Sequence, residues 1–182
     1  MRVTETDLPG VKLVEPAVFG DERGWFLETW REERYREHGI GPSFVQANCS
    51  QSARGVLRGL HYQWPEAQGK LVWVSAGRVF DVAVDIRPGS ATFGRWTGME
   101  LDADGQRQLW IPEGYAHGFQ VLSETAIFNY LCTRPYRAEF DASIAWDDPE
   151  IGVAWPLSPS GLSDKDRAAP RLSAIPADRL PS

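Results

Sequence analysis

The chain has 182 residues, 42% hydrophobic and 24% charged, with a formal net charge of −6. That length supports one sizeable core, so a single domain over residues 1–182 is expected. The acidic balance argues against a nucleic-acid or anionic-membrane surface, and any anionic ligand must be held by local basic groups.

Residues 11–18, 24–30, 44–50, 55–63 and 71–75 are short runs rich in β-branched and aromatic residues, bounded by Gly, Pro, Asp or Asn. Each reads as a strand. Residues 31–38, short and highly charged, make the one convincing helix, lying on the surface. Ala76-Gly77 turns the chain into residues 79–87, where alternation is clearest. There Phe80, Val82, Val84 and Ile86 share one face, while Asp81, Ala83 and Asp85 share the other. Further strands follow at 95–101, 106–111, 118–121 and 125–133, with Asp102-Ala103-Asp104-Gly105 turning between the first two. From Pro156 the chain reads as loops with one helical turn. There is no internal repeat, low-complexity block or dividing linker. Many short strands and few helices predict an antiparallel sandwich or barrel.

Two placements fit the 79–87 strand. Asp81 and Asp85 point into an open cavity where ligand and water satisfy them, or they face solvent on the outer side of a sheet. Periodicity alone does not choose. The eight Trp and eight Phe residues serve either as core filling or as flat rings for stacking on sugars or bases. Cys49 and Cys132 are far apart, form no CxxC, and read as reduced thiols. The first residues lack an apolar signal core, and no apolar run approaches the ~18 residues of a membrane span. The protein therefore reads as cytoplasmic.

The densest chemistry lies in Arg58-Gly59-Leu60-His61-Tyr62-Gln63 and Gln68-Gly69-Lys70-Leu71. The chain has three histidines, and one of them stands here beside an Arg and a Lys. Imidazole titrates near neutrality and suits proton transfer, while the cations suit an anion or a developing oxyanion. A metal site in a jelly roll wants something like HxH on one strand face, but Gln63 stands two residues after His61 and no HxH or HxxxH occurs. Proton transfer is thus the better reading. His61 as a base needs an orienting carboxylate, with Asp81, Asp85 and Asp166 all candidates. Lys70 could stabilise an enolate, and Tyr130 could serve as an acid or as an ordinary core ring.

These segments belong to a longer set of motifs. In order they are Phe19-Gly20-Asp21-Glu22-Arg23-Gly24, Gln46-Ala47-Asn48-Cys49-Ser50, Leu57-Arg58-Gly59-Leu60-His61 and Gln68-Gly69-Lys70-Leu71. After them come 80–87, 111–119 and Ser163-Asp164-Lys165-Asp166. In this set the chain closely resembles the dTDP-4-dehydrorhamnose 3,5-epimerase family, over about residues 10–170. The resemblance implies an all-β, cupin-like jelly-roll barrel with short peripheral helices, its core at about 10–155 and a C-terminal loop and helical segment at 156–182. It further implies a homodimer working without cofactor or metal on a dTDP-4-keto-6-deoxyhexose. His61 would be the base with Asp166 as dyad partner, Tyr130 the acid, and Lys70 the group near the substrate carbonyl. Arg23, Glu28, Gln46, Asn48, Arg58, His117, Asp141 and Lys165 would contact the sugar nucleotide, and Tyr136 would stack on the thymine.

The sequence departs from the family pattern at two positions. Leu131 follows the tyrosine where the family often has Lys, and Asp141 stands where it often has Glu. A geometric demand also arises. Arg58 and His61 have opposite parity, so a regular strand would send them to opposite faces. If both reach the substrate, Gly59 must lie in a bulge or sharp bend. Rival readings are an epimerase of C3 or C5 alone, a non-catalytic nucleotide-sugar-binding cupin, and a ketoisomerase of similar fold. A binder has no need of the His61, Lys70, Tyr130 and Asp166 set.

Overall fold

The computed structural model describes residues 1–181. In chain order the strands are β1 (Arg2–Glu5), β2 (Lys12–Glu15), β3 (Val18–Asp21), β4 (Gly24–Leu27), β5 (Gln46–Ala53), β6 (Leu57–Gln63), β7 (Lys70–Ala76), β8 (Arg78–Asp85), β9 (Trp96–Asp102), β10 (Gln108–Ile111), β11 (Tyr115–Val121), β12 (Thr125–Cys132) and β13 (Asp141–Ser143). Two short helices, α1 (Glu32–Arg36) and α2 (Asp164–Arg167), accompany them. Six strands form one sheet in the order β1-β2-β10-β7-β12-β5, and five form a second in the order β13-β6-β11-β8-β9. Their inner faces share one core, in which Val72, Leu109 and Phe128 of the first sheet meet Val79, Leu101 and Val121 of the second. Alternation supplies this core, because every second side chain of each strand faces the opposing sheet. The architecture is the expected cupin-like jelly roll.

The elements differ from expectation where local context outweighs propensity. The 11–18 run is two strands, β2 and β3, because Pro16 interrupts the ladder between them. β3 pairs only with β4, in a hairpin separate from both sheets. The sequence reading missed β1 and β13, the first mostly polar and the second three residues long. Strands therefore span residues 2–143, and the chain beyond them covers the outer face of the second sheet. There Val82, Val84 and Ile86 pack beneath Ile144, Ile151, Leu172 and Leu180. α1 is shorter than expected and is not purely a surface element. Its Tyr35 is fully buried, with the hydroxyl 2.8 Å from Gln108 Oε1. Among the described residues no helix is long and apolar enough to cross a membrane.

β8 is covered on both sides, which overturns the solvent-facing placement of its aspartates: Asp81 and Asp85 are fully buried. Asp85 is satisfied locally. Arg87 donates to it from Nε at 2.9 Å and Nη2 at 2.7 Å, and the Ser90 and Thr92 hydroxyls each donate at 2.6 Å. Burial pushes the carboxyl up, but these bonds and the Arg87 backbone N–H outweigh it and hold its pKa at about 2, below the usual 3.8. The network ties the loop after β8 to the sheet.

β6 carries the bend that the parity argument requires. Against β11, His61 pairs with His117 but Arg58 pairs with Phe119, so three steps on β6 match two on β11. Gly59 takes up the extra residue at φ +138°, where a Cβ would lie 2.5 Å from Gly118 Cα. The bulge returns Arg58 and His61 to one face.

Two outcomes follow from this packing. Gly59→Ala should lower stability by about 3 kcal/mol in chemical denaturation, since the side chain is barred by both backbone dihedral and space. Asp85→Asn should cost about 2 kcal/mol at pH 7. Because the folded pKa of Asp85 lies below its unfolded value, that contribution is complete above pH ~4 and fades as pH falls toward 2. Denaturation of both proteins at pH 7 and pH 2.5 should show the difference shrinking.

Candidate active site

The inner faces of the two sheets diverge at one end, leaving two adjoining cavities of about 330 and 180 Å³ that share His61, Lys70 and Tyr130. Register explains which side chains meet there. On the six-stranded sheet β12 lies between β5 and β7, with Cys132 opposite Gln46 and Lys70, and Tyr130 opposite Asn48 and Val72. Alternation then presents Gln46, Asn48, Lys70, Tyr130 and Cys132 to the same space. Across the gap, the β6 bulge brings Arg58 and His61 onto the face shared with His117 and Phe119.

The three aspartates proposed as partners for His61 separate cleanly. Asp166 takes it, with Oδ1 2.6 Å from His61 Nε2. Asp81 instead holds His117, whose Nε2 lies 2.9 and 3.1 Å from its two oxygens. Asp85 is engaged with Arg87. Asp166 reaches His61 from α2, where Ser163 caps the helix by accepting the Asp166 N–H at 3.1 Å. With Nε2 committed to the carboxylate, His61 keeps Nδ1 as the free basic nitrogen. His117 is further fixed by stacking on Phe128, with ring centroids 5.9 Å apart.

Burial shapes the electrostatics. It draws the His61 pKa below 6.5 despite the opposing pull of Asp166, so the imidazole is neutral at pH 7 and able to accept a proton. Burial raises the Asp166 carboxyl, but the bond to and charge of His61, with Ser163 and Lys165, together outweigh it and hold the group below the usual carboxylate range. Burial lowers the Lys70 pKa and raises those of Tyr130 and Cys132. Tyr130 accordingly holds its proton at neutral pH. Neither Lys70 nor Arg58 has a carboxylate ion-pair partner among the described residues; Arg58 Nε donates to Ser52 Oγ at 3.1 Å. Two cations thus face the cavity region without a carboxylate partner.

Tyr136 stands at the cavity mouth with its residue surface 53% exposed. Its backbone is nonetheless fastened. Tyr136 N donates to Gln46 Oε1 at 2.8 Å, Arg137 N donates to Gln63 Oε1 at 2.8 Å, and Gln68 Nε2 donates to Arg134 O at 2.8 Å. Its hydroxyl donates to Asp141 Oδ2 at 3.2 Å, and Lys165 Nζ donates to the same oxygen at 2.5 Å. An exposed aromatic on a fixed backbone is a ready stacking platform.

Most of the site residues expected from the sequence therefore converge, with Lys165 at the rim and outside the two cavities. Arg23 and Glu28 do not converge in their own chain. Arg23 lies at the β3–β4 turn, paired to Asp21, and Glu28 is bound to Arg34 at 3.0 Å. Leu131 faces away from the cavity, packed with Leu71, Tyr35 and Trp110, so its departure from the family pattern leaves the phenol untouched. Four residues lining the larger cavity were not among the expected site residues: Tyr62, Gln63, Gln68 and Cys132. Period-two spacing from His61 and Tyr130 would have found Gln63 and Cys132, and Gln68 stood in the highlighted Gln68-Gly69-Lys70-Leu71 segment without being given a role. Among the described residues no group of three or more His, Cys, Asp or Glu forms a possible metal site.

A neutral imidazole held by a carboxylate, a protonated phenol across the gap and free cations between them can move protons on and off carbon beside a carbonyl. Known proteins agree. Residues 5–174 match the family model for dTDP-4-dehydrorhamnose 3,5-epimerase. The chain is 54% identical over 169 residues to the enzyme of that name from Pseudomonas aeruginosa, covering 92% of this chain and 93% of the relative. It is 51% identical over 169 residues to that of Methanothermobacter thermautotrophicus, covering 91% of each. Among solved structures, it superposes with a TM-score of 0.97 on the dTDP-6-deoxy-D-glucose-3,5-epimerase of Legionella pneumophila in complex with dTDP-4-keto-L-rhamnose. That protein is 52% identical, and the match covers 99% of this chain and 97% of the other. Likeness of this extent leaves one assignment: the chain belongs to the dTDP-4-dehydrorhamnose 3,5-epimerase family and is an isomerase.

Proposed function

We propose that the chain inverts both C3 and C5 of dTDP-4-dehydro-6-deoxy-D-glucose to give dTDP-4-dehydro-L-rhamnose, with His61 as base, Tyr130 as acid and no cofactor. One observation carries this reading: His61 and Tyr130 belong to opposed sheets and line the same cavity. Inversion at carbon requires that a proton leave one face and another arrive on the opposite face. A base and an acid on facing walls supply that arrangement.

The C4 ketone acidifies the C–H bonds at C3 and C5. His61 takes one such proton at Nδ1, and its imidazolium is stabilised by Asp166. The electron pair moves to the C4 oxygen, where Lys70 donates a hydrogen bond to the enolate, with His117 on the opposed wall beside His61. Tyr130 then protonates the carbon from the far side. The phenolate afterwards regains a proton from solvent and His61 releases one, so the enzyme returns to its starting state. Repetition at the second carbon completes the conversion. Arg58 suits the pyrophosphate, Gln46 and Asn48 supply amide contacts to the nucleotide, and Tyr136 provides the face for the thymine.

Homodimer formation fits the same reading. The β3–β4 hairpin leaves Phe19, Trp25 and Phe26 exposed, each above 60% of its surface, an apolar display unusual for a surface with no partner. A hairpin lent to a second copy would carry Arg23, and the adjoining Glu28, to the other subunit's cavity. The reaction would run in the cytoplasm, without nucleic acid or membrane.

The test is NMR of the purified protein with dTDP-4-keto-6-deoxyglucose in deuterated water. Deuterium should enter at both C3 and C5; entry at one carbon would instead identify a single-centre epimerase, and no entry would remove the enzyme assignment. His61→Ala should lose at least about 10³-fold in rate and all exchange. Tyr130→Phe should keep exchange on the His61 side while losing product, and full product formation would rule it out as acid. Since His61 must be neutral, kcat/KM should rise with pH through an acid limb below 6.5. It should fall on the alkaline side as Lys70, whose pKa burial lowers from 10.5, gives up its charge, and as Tyr130 loses its proton above 10.0.

A further inference from the structure

The β6 bulge settles which face Arg58 occupies, but a backbone bend does not set the torsions of an arginine side chain. Left free, a guanidinium on so long a stem samples many orientations, and ordering it on a ligand costs affinity. Arg58 is exposed, so packing restrains it little. One neighbour does so instead. Arg58 Nε donates to Ser52 Oγ at 3.1 Å, the one side-chain hydrogen bond that Arg58 makes among the described residues.

The fold builds this contact where the chain crosses from the six-stranded sheet to the five-stranded one. Gly55, at φ +77°, lies midway between the two partners in the turn joining β5 to β6. Along β5, Gln46, Asn48, Ser50 and Ser52 alternate with exposed residues. Ser52 therefore ends an inward row whose other members line the two cavities. It is 8% exposed and stands opposite Ala126 of β12, which makes it a fixed post for a mobile side chain.

The chemistry of the post also matters. A guanidinium is planar, so holding Nε orients the whole fork while both Nη groups stay uncommitted. Serine is a neutral acceptor and aims the cation without cancelling its charge. Arg87 shows the opposite use, since its Nε and Nη2 are both closed on the Asp85 carboxylate. One arginine is thus shut on an anion of its own chain, and the other is held open.

We infer that Ser52 is a positioning residue that aims the Arg58 guanidinium into the cavity, pre-setting its free Nη groups for the diphosphate of a nucleoside-diphosphate sugar. The inference rests on the reading of Arg58 as the pyrophosphate contact.

The test uses full-length Ser52→Ala, Ser52→Thr, Arg58→Lys and the Ser52→Ala/Arg58→Lys double variant. The probes are dTDP, followed by calorimetry, and thymidine, followed by ligand-observed NMR. Because Arg58 is exposed, water takes over its Nε–H in Ser52→Ala, and that variant should melt close to the wild type. Its affinity for dTDP should fall about 10-fold while thymidine binds as before. KM should rise in step, with kcat kept within about threefold. Ser52→Thr, which keeps the hydroxyl, should bind dTDP as the wild type does. In Arg58→Lys, which has no Nε, removing the Ser52 hydroxyl should change dTDP affinity no further. Equal losses for dTDP and thymidine in Ser52→Ala would make Ser52 a general support of the cavity and overturn the inference. So would unchanged dTDP affinity, a full loss in a folded Ser52→Thr, or a loss that persists undiminished in the Arg58→Lys background. Unchanged dTDP affinity in Arg58→Ala would sink the pyrophosphate reading itself, whatever the Ser52 variants do.

Discussion

The site depends on how closely two glycines allow two strands to approach. A Cβ at Gly59 would lie 2.5 Å from Gly118 Cα, and a Cβ at Gly118 would lie 2.9 Å from the Arg58 carbonyl oxygen. Their absence lets β6 carry one residue more than β11 without leaving the sheet. Everything on the His61 wall follows from that extra residue. Without it Arg58 and His61 would point to opposite faces, one into the cavity and the other toward the layer packed by Leu60 and Tyr62. The jelly roll is tolerant of many sequences on its solvent faces, but this contact has no slack, because both atoms in question belong to backbone.

Parity arguments read from the chain were strong where strands are regular and silent where chemistry comes from elsewhere. The alternation at 79–87 correctly separated the inward Asp81, Ala83 and Asp85 from the apolar set, and the opposite parity of Arg58 and His61 announced the bulge before any coordinate. The pairing of His61 with Asp166 spans 105 positions, which spacing cannot reveal; there the resemblance supplied the partner and the geometry agrees. Gln68 escaped because it lies just before β7 and acts through a carbonyl of a remote loop. β13 escaped because three residues carry no period. The outer cover over β8 was hidden too, since residues beyond 143 look like loops yet contribute Ile151, Leu172 and Leu180 to a buried layer.

Charge burial obeys a simple rule across the molecule. Each fully or nearly buried carboxylate of the second sheet and its cover is satisfied: Asp81 by His117, Asp85 by Arg87, Asp166 by His61, and Asp148 by the backbone N–H groups of Leu172 and Glu150. Unpaired, each would be costly in a low-dielectric interior. The cations at the cavity, Lys70 and Arg58, lack that compensation. Between its sheets this acidic protein therefore carries a local deficit of negative charge, and a ligand that brings phosphate oxygens and a developing enolate is the natural complement.

That local deficit also explains why rigid and loosely held parts are arranged as they are. The phenol and the lysine sit on β12 and β7, inside a six-stranded sheet with a ladder on both sides, and the amides sit beside them on the edge strand β5. The carboxylate of Asp166, by contrast, rides on a four-residue turn whose flanks are held by the backbone bonds Leu57 N to Gly161 O at 3.0 Å and Ala145 N to Pro170 O at 2.8 Å. A group that must only orient an imidazole and balance its transient charge tolerates such a mounting. A group that must deliver a proton to one face of one carbon does not. Under the proposed mechanism this division would place the tightest geometry on the Tyr130 wall, where the proton is delivered, and the more adjustable support behind His61.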